Sequence, residues 1–498
     1  MTVFTRLLTH ALPLPLACAL LLAGCAVGPD YKRPDAPVSE AFKEADGTAG
    51  TADATAWRGD WKPAEPQDAL ARADWWTVFG DAQLDALMSE VQISNQNIKA
   101  AEAQYRQAVA SLQAARAGFF PTVDAQAGAS RARGASGNTL NGQSVTLGAT
   151  WEIDVWGRVR RQVESSEASA QASQADLAST LLSTQATLAQ SYFLLRVADA
   201  QKALLDRTVA DYAKSLQLVQ NQYAAGTAQR SDVLQSETQL KSAQAQQIDI
   251  QITRAQLEHA IAVLVGKPPA ALTLAADDFR TAPPRVPAAV PSQLLERRPD
   301  IGAAERRMAS ANAQIGVAQA AYYPTLSLSA SGGLTASTLA RWMSLPDRIW
   351  SIGGGLAGTL FDGGLRSAAK AQAVAAYDQT VANYRQTVLG AFQEVEDNLA
   401  AQRLLEQEAV VQNDALRSAR EALALVNNRY RAGTAGLLDV LTAQTSAYTA
   451  ERTALSIAGR QYTAAVVLIK ALGGGWHAPG AEAAQAAQAG ADQPVSQR

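Results

Sequence analysis

Cysteine and histidine are scarce in this chain. The 498 residues include two cysteines, Cys18 and Cys25, both near the N-terminus. The rest of the chain therefore has no internal disulfide, thiolate metal site or cysteine nucleophile. The three histidines, His10, His259 and His477, have no metal-ligand spacing. Nucleophile-elbow and phosphate-loop motifs are also missing, so we expect neither an enzyme nor a cofactor, apart from a covalent lipid discussed below.

Charge of one sign and long hydrophobic runs are lacking too. The formal net charge is −3, which gives no indication of a nucleic-acid partner. Beyond the N-terminus no run of about 18 apolar residues occurs, so a membrane-spanning helix is not expected. Aromatic residues make up 6%, whereas alanine and glutamine are very common. Because alanine favours helix, the composition predicts a mainly helical protein.

The first 24 residues have the pattern of a secretory signal peptide, with Arg6 followed by an apolar stretch. That stretch ends in Leu22-Ala23-Gly24-Cys25, which resembles a bacterial lipobox and predicts lipid on Cys25. An ordinary signal with an incidental cysteine is the alternative. Ala26 follows rather than Asp, so by analogy a signal for retention in the inner membrane is absent. Several acyl chains would anchor the protein firmly, at about 0.8 kcal/mol per buried methylene.

Residues 25–80 are rich in proline, glycine, aspartate and threonine, and they predict an extended, lipidated strap. Aromatic residues along it are expected to pin it to the body: Trp57, Trp61, Trp75, Trp76 and Phe79. Asp81 is a candidate cap for the next helix, whose pattern runs to about Ala117.

One stretch occurs twice in the chain. Residues 223–228 read YAAGTA and residues 232–234 read DVL, while residues 430–435 read YRAGTA and residues 439–441 read DVL. The offset is the same for both parts, 430−223 = 207 and 439−232 = 207. A glycine between two helical patterns indicates that one helix ends there and that another begins shortly after it. Apolar residues at heptad spacing precede each copy, as in helices that pack side by side. The pattern therefore predicts that each copy is the tip of a helical hairpin and that the chain contains an internal duplication.

Two segments, about 119–155 and about 322–361, alternate apolar and polar residues on either side of a turn-rich loop. Each predicts a β-hairpin. The runs have about the length of a tilted membrane-crossing strand, roughly 9–11 residues. One face is small and polar and the other is apolar, as in a transmembrane barrel with a wet lumen. A half-buried sheet of a soluble domain is the alternative.

The order of these patterns divides the chain. The first repeat, 81–265, contains a helix, a hairpin, a helix of about 65 residues, the tip at about 223–232 and a return helix. A linker at 266–300 joins it to the second repeat, 301–472, whose tip is at about 430–439. At about 1.5 Å per residue each long helix would extend roughly 100 Å, which suits the crossing of a compartment. The tail, 473–498, is of low complexity and predicted to be disordered.

A further motif carries a family resemblance. Residues 294–301 read LLERRPDI, followed by Ala304-Glu305 and by ANAQIG at 311–316. Together with GPDY at 28–31, the tryptophan pair and both tip motifs, they resemble the outer-membrane efflux lipoproteins, the TolC/OprM-like outer-membrane factors. The resemblance covers nearly the whole mature chain.

The resemblance implies a homotrimer in the outer membrane, lipid-anchored and extending into the periplasm. Its fold is mainly α with transmembrane β: a 12-stranded barrel, four strands per chain, continued by a periplasmic α-helical barrel. One chain could not form this barrel alone, because four strands cannot close a barrel and unpaired strand edges are not tolerated in lipid. The implied partners are a periplasmic adaptor and an inner-membrane transporter of the RND type.

The implied function is a passive exit duct for drugs or other small toxic compounds. A duct for type I protein secretion is an alternative within the same fold. A structural coiled-coil lipoprotein without a channel is another, which the strand pairs disfavour because a spacer needs no hairpins.

The resemblance also implies roles for tip residues. Tyr430 and Asp232 match a lock that closes the tube in related ducts, but the arginine that completes this lock falls at Ala435 here. Whether Arg230 or Arg431 replaces it stays open. Asp439 matches an acidic ring at the pore constriction. The adaptor-contacting positions are Gly226, Thr227, Gly433 and Thr434. Plain helix capping is the alternative for all of them.

Overall fold

A computed structural model describes residues 27–36, 42–44, 72–133, 135, 137, 139–277, 279, 298–336 and 348–474. The predicted signal peptide, Cys25, Trp57, Trp61 and the tail from residue 475 lie outside the described residues. The described chain is mostly helical with one small antiparallel sheet. None of its helices is both long and apolar enough to pass through a membrane.

The elements follow the predicted order. A 3₁₀ helix, Arg72–Phe79, precedes α1 (Ala82–Ser94), α2 (Gln96–Ala117), β1 (Thr122–Arg133), β2 (Thr139–Ile153), α3 (Arg158–Ala224) and α4 (Arg230–Leu264). After a short 3₁₀ turn, Pro269–Ala271, come α5 (Pro299–Ala320), β3 (Thr325–Ala336), β4 (Arg348–Ala357), α6 (Leu365–Arg431) and α7 (Leu437–Ala471).

The two long helices, α3 and α6, have 67 residues each, and the two return helices, α4 and α7, have 35 each. The starts of both pairs are offset by 365−158 = 207 and 437−230 = 207 residues, the offset of the sequence motifs.

One boundary was wrong. The helical pattern predicted to run unbroken to Ala117 is divided at Asn95, between α1 and α2. Asn95 has extended backbone geometry, and its Oδ1 accepts hydrogen bonds from the amides of Asn97 and Ile98. The side-chain Nδ2 of Asn95 donates to the backbone carbonyl of Leu264, so a tertiary contact fixes the break between the two helices. The N-terminal cap of α2 is therefore an asparagine inside an otherwise helical pattern.

The described chain forms two compact units, each assembled from three segments. The first contains residues up to 36, 103–174 and 303–386, and the second contains 37–102, 175–302 and 387 onwards.

The first unit holds the sheet, in which β1, β2, β3 and β4 pair in that order. The hairpins predicted at 119–155 and 322–361 are confirmed. One face is apolar and includes the pair Ala125–Leu147 and the pair Ala330–Ile352. The other face is small and polar, with Ser331 and Ser351 Oγ atoms 2.8 Å apart. Every residue of β1 and β4 is exposed, so no part of the described chain covers these two strands.

The residues after the predicted lipid site are fixed within this unit. Arg161 Nη2 binds Asp30 Oδ1 at 2.8 Å and also bonds the carbonyl of Gly28, while Asn312 donates to Pro29. Gly28 has φ +106°, and a side chain there would meet the Cα of Gly316 at 2.5 Å. Only glycine allows this positive φ and this close backbone approach.

The second unit contains the largest core. Trp76, 3% exposed, and Phe79 pack there, which confirms that this end of the strap is pinned to the body. Phe193 lies between Phe79 and Tyr462, with ring centroids 4.8 and 4.4 Å away. Asp81 caps α1, as predicted, by accepting from the amides at positions 83 and 84.

Arg298, from the mid-chain motif, is buried at the end of the linker. It forms a two-pronged ion pair with Asp300, at 2.7 and 3.1 Å, and binds Glu394 at 2.8 Å. It also donates to the carbonyl of Ala471 at the end of α7, and Lys470 binds the other oxygen of Glu394. The motif thus holds the start of α5 against α6 and α7.

Candidate functional site

The two tips lie in the second unit, where α3 turns into α4 and α6 turns into α7. In the first tip Gly226 has φ +75°, its amide donates to Tyr223, and the Thr227 amide donates to Gln222 at 2.9 Å. These two backbone hydrogen bonds form a Schellman motif, in which a residue in the left-handed conformation ends the helix. The Thr227 hydroxyl adds a third bond, to the Gln222 carbonyl at 3.0 Å.

The second tip repeats this geometry. Gly433 has φ +74°, its amide donates to Tyr430, and the Thr434 amide donates to Arg429 at 2.9 Å. The Thr434 hydroxyl bonds the Arg429 carbonyl at 3.1 Å. A Cβ atom built at either glycine would meet no atom within 4 Å. Both glycines are therefore needed for the turn, and the space outside them is open.

The two predicted constriction carboxylates sit in the first turns of the return helices. Asp232 Oδ2 accepts from the Gln229 amide, and Asp439 Oδ2 accepts from the Gly436 amide, each at 3.0 Å. This is the N3 half of a capping box, and it also places negative charge at the positive end of the helix dipole. Asp439 is exposed and Asp232 is half-buried. The cap uses only one oxygen of each carboxylate. The second oxygen and the negative charge are still available for the predicted role at a pore constriction.

A small apolar cluster supports both tips from beneath. Val219, Leu437 and Leu441 are buried together, and Val233 and Tyr430 pack against them. Residues of α3, α4, α6 and α7 thus meet in one place, and the two tips of one chain are held together.

Tyr430 links the tips directly. Its hydroxyl donates to Oε1 of Gln222 at 2.8 Å. Burial raises the pKa of Tyr430, and the charge of Asp232 raises it further, against the lowering effect of the Gln222 bond. The phenol therefore remains a protonated donor at neutral pH. The predicted proximity of Tyr430 to Asp232 is consistent with this electrostatic effect, while the bonded partner is Gln222.

The remaining predicted residues lie on the surface. Gly226, Thr227, Gly433 and Thr434 are all exposed, and so are Arg230, at the start of α4, and Arg431, at the end of α6. Ala435, where related ducts have the lock arginine, is half-buried.

Behind the tips, α4 and α7 form a groove of about 920 Å³. Its lining is uncharged: most side chains are serine, threonine or glutamine, with three leucines and one alanine among them, and Gln239 bonds Thr445 across it at 2.7 Å. Leu234 and Leu438 are 50% and 63% exposed at its tip end. Sequence reasoning missed this groove and Gln222. The signal for the groove was the run of threonines at positions 442, 445, 449 and 453, which share one face of α7.

In the described part of the chain, no group of three or more His, Cys, Asp or Glu side chains is placed to hold a metal ion.

The sequence matches a known protein family. The sequence profile of the family described as "Outer membrane efflux protein" matches residues 87–267 and 290–474. These two segments each contain one hairpin and one tip, and together they cover most of the chain.

Individual proteins are similar over nearly the full length. The toluene efflux pump outer membrane protein TtgC of Pseudomonas putida is 30% identical over 94% of this chain and 96% of its own length. The pyoverdine export outer membrane protein OpmQ of Pseudomonas aeruginosa is 32% identical over 86% and 92%. Among solved structures, the outer-membrane channel OprN superposes with a TM-score of 0.81 at 30% identity, covering 91% of this chain and 100% of that one.

Proposed function

The chain belongs to the outer membrane efflux protein family, and we propose that three copies form the outer-membrane channel of a tripartite efflux pump. The channel is a passive exit duct for drugs or other small toxic compounds. Its family is one of efflux ducts rather than enzymes. In this proposal the chain itself does not supply the energy for transport.

The uncovered sheet is the observation that carries the proposal. Both faces of β1 and β4 are exposed, and Trp350 and Ile352 on the apolar face are each 78% exposed. A soluble protein does not leave such a face open. The edges of β1 and β4 are also unpaired in the sheet, and unpaired edges are not tolerated in lipid. Three chains provide 12 strands, which solves both problems by closing a barrel with lipid outside and the serine-rich face inside.

The helices supply the rest of the duct. A helix of 67 residues is about 100 Å long at 1.5 Å per residue. Two such helices and their two return helices per chain would give a 12-helix tube through the periplasm. The exposed apolar side chains on these helices, Leu404, Val410 and Val411 among them, would then pack against neighbouring copies.

The tips are the proposed end of this tube and the docking surface for a periplasmic adaptor. The exposed glycines leave backbone open to close approach, and the uncharged groove beside them suits a helical hairpin of a partner. An inner-membrane transporter of the RND type would supply energy. Lipid on Cys25 would anchor the strap, which enters the body at Gly28 and Arg161.

The cargo is not fixed by the resemblance. Two relatives that are about equally similar to this chain are named for toluene efflux and for pyoverdine export, so related proteins are named for different compounds. We infer that the transporter, rather than this chain, selects the substrate.

Two measurements test the proposal. Purified full-length protein should migrate as a heat-sensitive trimer and should conduct ions in planar bilayers; a coiled-coil spacer would do neither. Deletion of the gene should raise drug susceptibility and leave the set of secreted proteins unchanged. A change in secreted proteins with unchanged susceptibility would instead support the secretion duct.

A further inference from the structure

The loop end of the sheet carries three arginines on the apolar face. Arg131 and Arg133 are the last two residues of β1 that share the face of Val123 and Ala125, because side chains alternate along a strand. Arg348 is the first residue of β4 and lies on the face of Trp350 and Ile352. All three side chains are exposed. They lie at the ends of the strands opposite to those that continue into the long helices.

From this placement we propose that Arg131, Arg133 and Arg348 form a binding site for the phosphate groups of a phosphorylated lipid in the outer leaflet. The inference rests on the proposed function, which puts the apolar face in lipid and the loop end at the outer surface. The occupant is a membrane lipid rather than a soluble anion, because the arginines share a face with the apolar residues that contact the acyl chains.

The charge balance at this end favours an anion. Among the described residues of the four strands, the only carboxylates are Asp124 and Glu152. Both lie toward the helix ends of their strands, Glu152 is paired with Arg158, and Asp124 faces Gly148 on the polar side. Asp347, next to Arg348 in the sequence, lies outside the described residues. Arginine guanidinium groups bind phosphate oxygens in a two-pronged geometry, which a lipid phosphate can satisfy.

The position of Trp350 indicates the depth of the site. Tryptophan is enriched at the boundary between hydrocarbon and headgroups, and Trp350 precedes the apolar Ile352 and follows Arg348 on the same face. On this face, Arg348 is the next residue beyond Trp350 toward the loop end of the strand. This places Arg348 at the level of the headgroup phosphates. An arginine is strongly disfavoured at the bilayer midplane, but near the interface this cost nearly vanishes.

Subunit closure would complete the site. β1 and β4 are the two edges of the sheet, so in a closed trimer β4 of one copy adjoins β1 of the next. Strands lie about 4.8 Å apart, which brings Arg348 of one copy to the strand that carries Arg131 and Arg133 of its neighbour. Each of the three subunit junctions would hold one phosphorylated lipid.

The test is native mass spectrometry of the full-length trimer incubated with bis-phosphorylated lipid A, with the same lipid after phosphate removal, and with inorganic phosphate as competitor. The triple variant R131Q/R133Q/R348Q should bind the phosphorylated lipid about fivefold more weakly per arginine removed, since each surface cation contributes about that factor. The triple lysine variant, R131K/R133K/R348K, should retain most of the affinity. The matched control K214Q/K241Q/R417Q removes the same charge from exposed helix positions and should bind as the wild type does.

Equal binding of the dephosphorylated lipid, or equal loss in the helix control, would overturn the site. Displacement by inorganic phosphate at concentrations comparable to the lipid would show that free phosphate is the ligand and would overturn the choice of lipid. Planar-bilayer conductance of the same preparations separates the two proposals. A conducting trimer without phosphate preference rejects only the lipid site, whereas a wild type that neither trimerises nor conducts rejects the proposed function and the lipid site together.

Discussion

The hydroxyl of Tyr430 donates a hydrogen bond to Oε1 of Gln222, 2.8 Å away and 208 positions earlier in the chain. The bond joins the last turns of the two long helices. Tyr223 occupies the same motif position in the first tip, yet it is 45% exposed. The two tips therefore share a sequence motif and a backbone geometry but differ in their surroundings.

Removal of the Tyr430 hydroxyl should loosen the tips. Tyr430→Phe keeps the ring in its apolar cluster and loses one hydrogen bond, which costs about 1 kcal/mol. We expect a higher single-channel conductance with nearly unchanged trimer stability. Tyr223→Phe is the matched control and should leave conductance less affected. Equal conductance changes in both variants would contradict a specific role for the Gln222 bond.

The same bond has a defined pH dependence. Because burial raises the pKa of Tyr430 above its ordinary value of 10.0, the neutral phenol is the form favoured in the folded tip. Its contribution is fully present below about pH 10 and is lost as the pH rises through the raised pKa. Conductance of the wild type, compared with that of Tyr430→Phe, should thus differ throughout the neutral range and converge only in strong alkali.

Asp439 can be tested for its pore role apart from its capping role. Asp439→Asn removes the charge and keeps an oxygen that can accept from the Gly436 amide. We expect a lower cation preference, measured as a shift in reversal potential in a salt gradient, because an acidic ring favours cations. Asp414→Asn, on an exposed part of α6, is the control. An unchanged reversal potential in Asp439→Asn would place this carboxylate away from the pore.

The tips also show how far the sequence was informative. Glycine acts locally, so Gly226 and Gly433 predicted the turns from their spacing, whereas capping by Asp232 and Asp439 was only the alternative to their predicted pore role. Gln222 did not stand out, because its role depends on a residue of another helix. The break at Asn95 was missed for the same reason, since the bond to the Leu264 carbonyl has no local signal.

The buried ion network at Arg298 should dominate the stability of its unit. Arg298→Met removes the partner of Asp300 and Glu394. Because both carboxylates are partly exposed, the loss should be smaller than the roughly 3–5 kcal/mol of a fully buried pair. Thermal unfolding of the trimer should occur at a clearly lower temperature. Arg417→Met, which breaks an exposed pair with Asp414, should change it little. Similar melting temperatures for both variants would show that the mid-chain motif is not a structural clamp.

This network also predicts an acid limit. Its hydrogen bonds and the charges of Arg298 and Lys470 lower the pKa of Glu394 in spite of burial. A depressed pKa gives stability that is present above the ordinary value of 4.5 and is lost as the pH falls through the folded value. Glu394→Gln should therefore remove part of the acid dependence of unfolding below about pH 4.5.

Acylation of Cys25 is a separate prediction from the sequence. Mass spectrometry of the mature protein should find residue 25 at the N-terminus with lipid attached. Cys25→Ser should weaken sorting more than folding, because the proposed barrel anchors the protein independently. Cleavage at another position with an unmodified Cys25 would contradict the lipobox interpretation.

The last prediction separates docking from helix capping at the tips. Gly226 and Gly433 both hold a positive φ, so any other residue strains the turn by about 1 kcal/mol. Yet a Cβ built at either position has no other atom within 4 Å, so the space next to both glycines is open. Gly433→Ala and Gly433→Trp thus carry the same backbone strain and differ only in what projects outward.

If the tips only cap helices, the two variants should behave alike, with a small loss of stability and normal efflux. If an adaptor docks there, Gly433→Ala should stay active, while Gly433→Trp should form normal trimer in the outer membrane but lose drug resistance and crosslinking to the adaptor. Gly226→Trp should do the same, because Gly226 and Gly433 share one turn geometry and both face open space. Full resistance in both tryptophan variants, at normal amounts of heat-sensitive trimer, would limit these glycines to closing the turns.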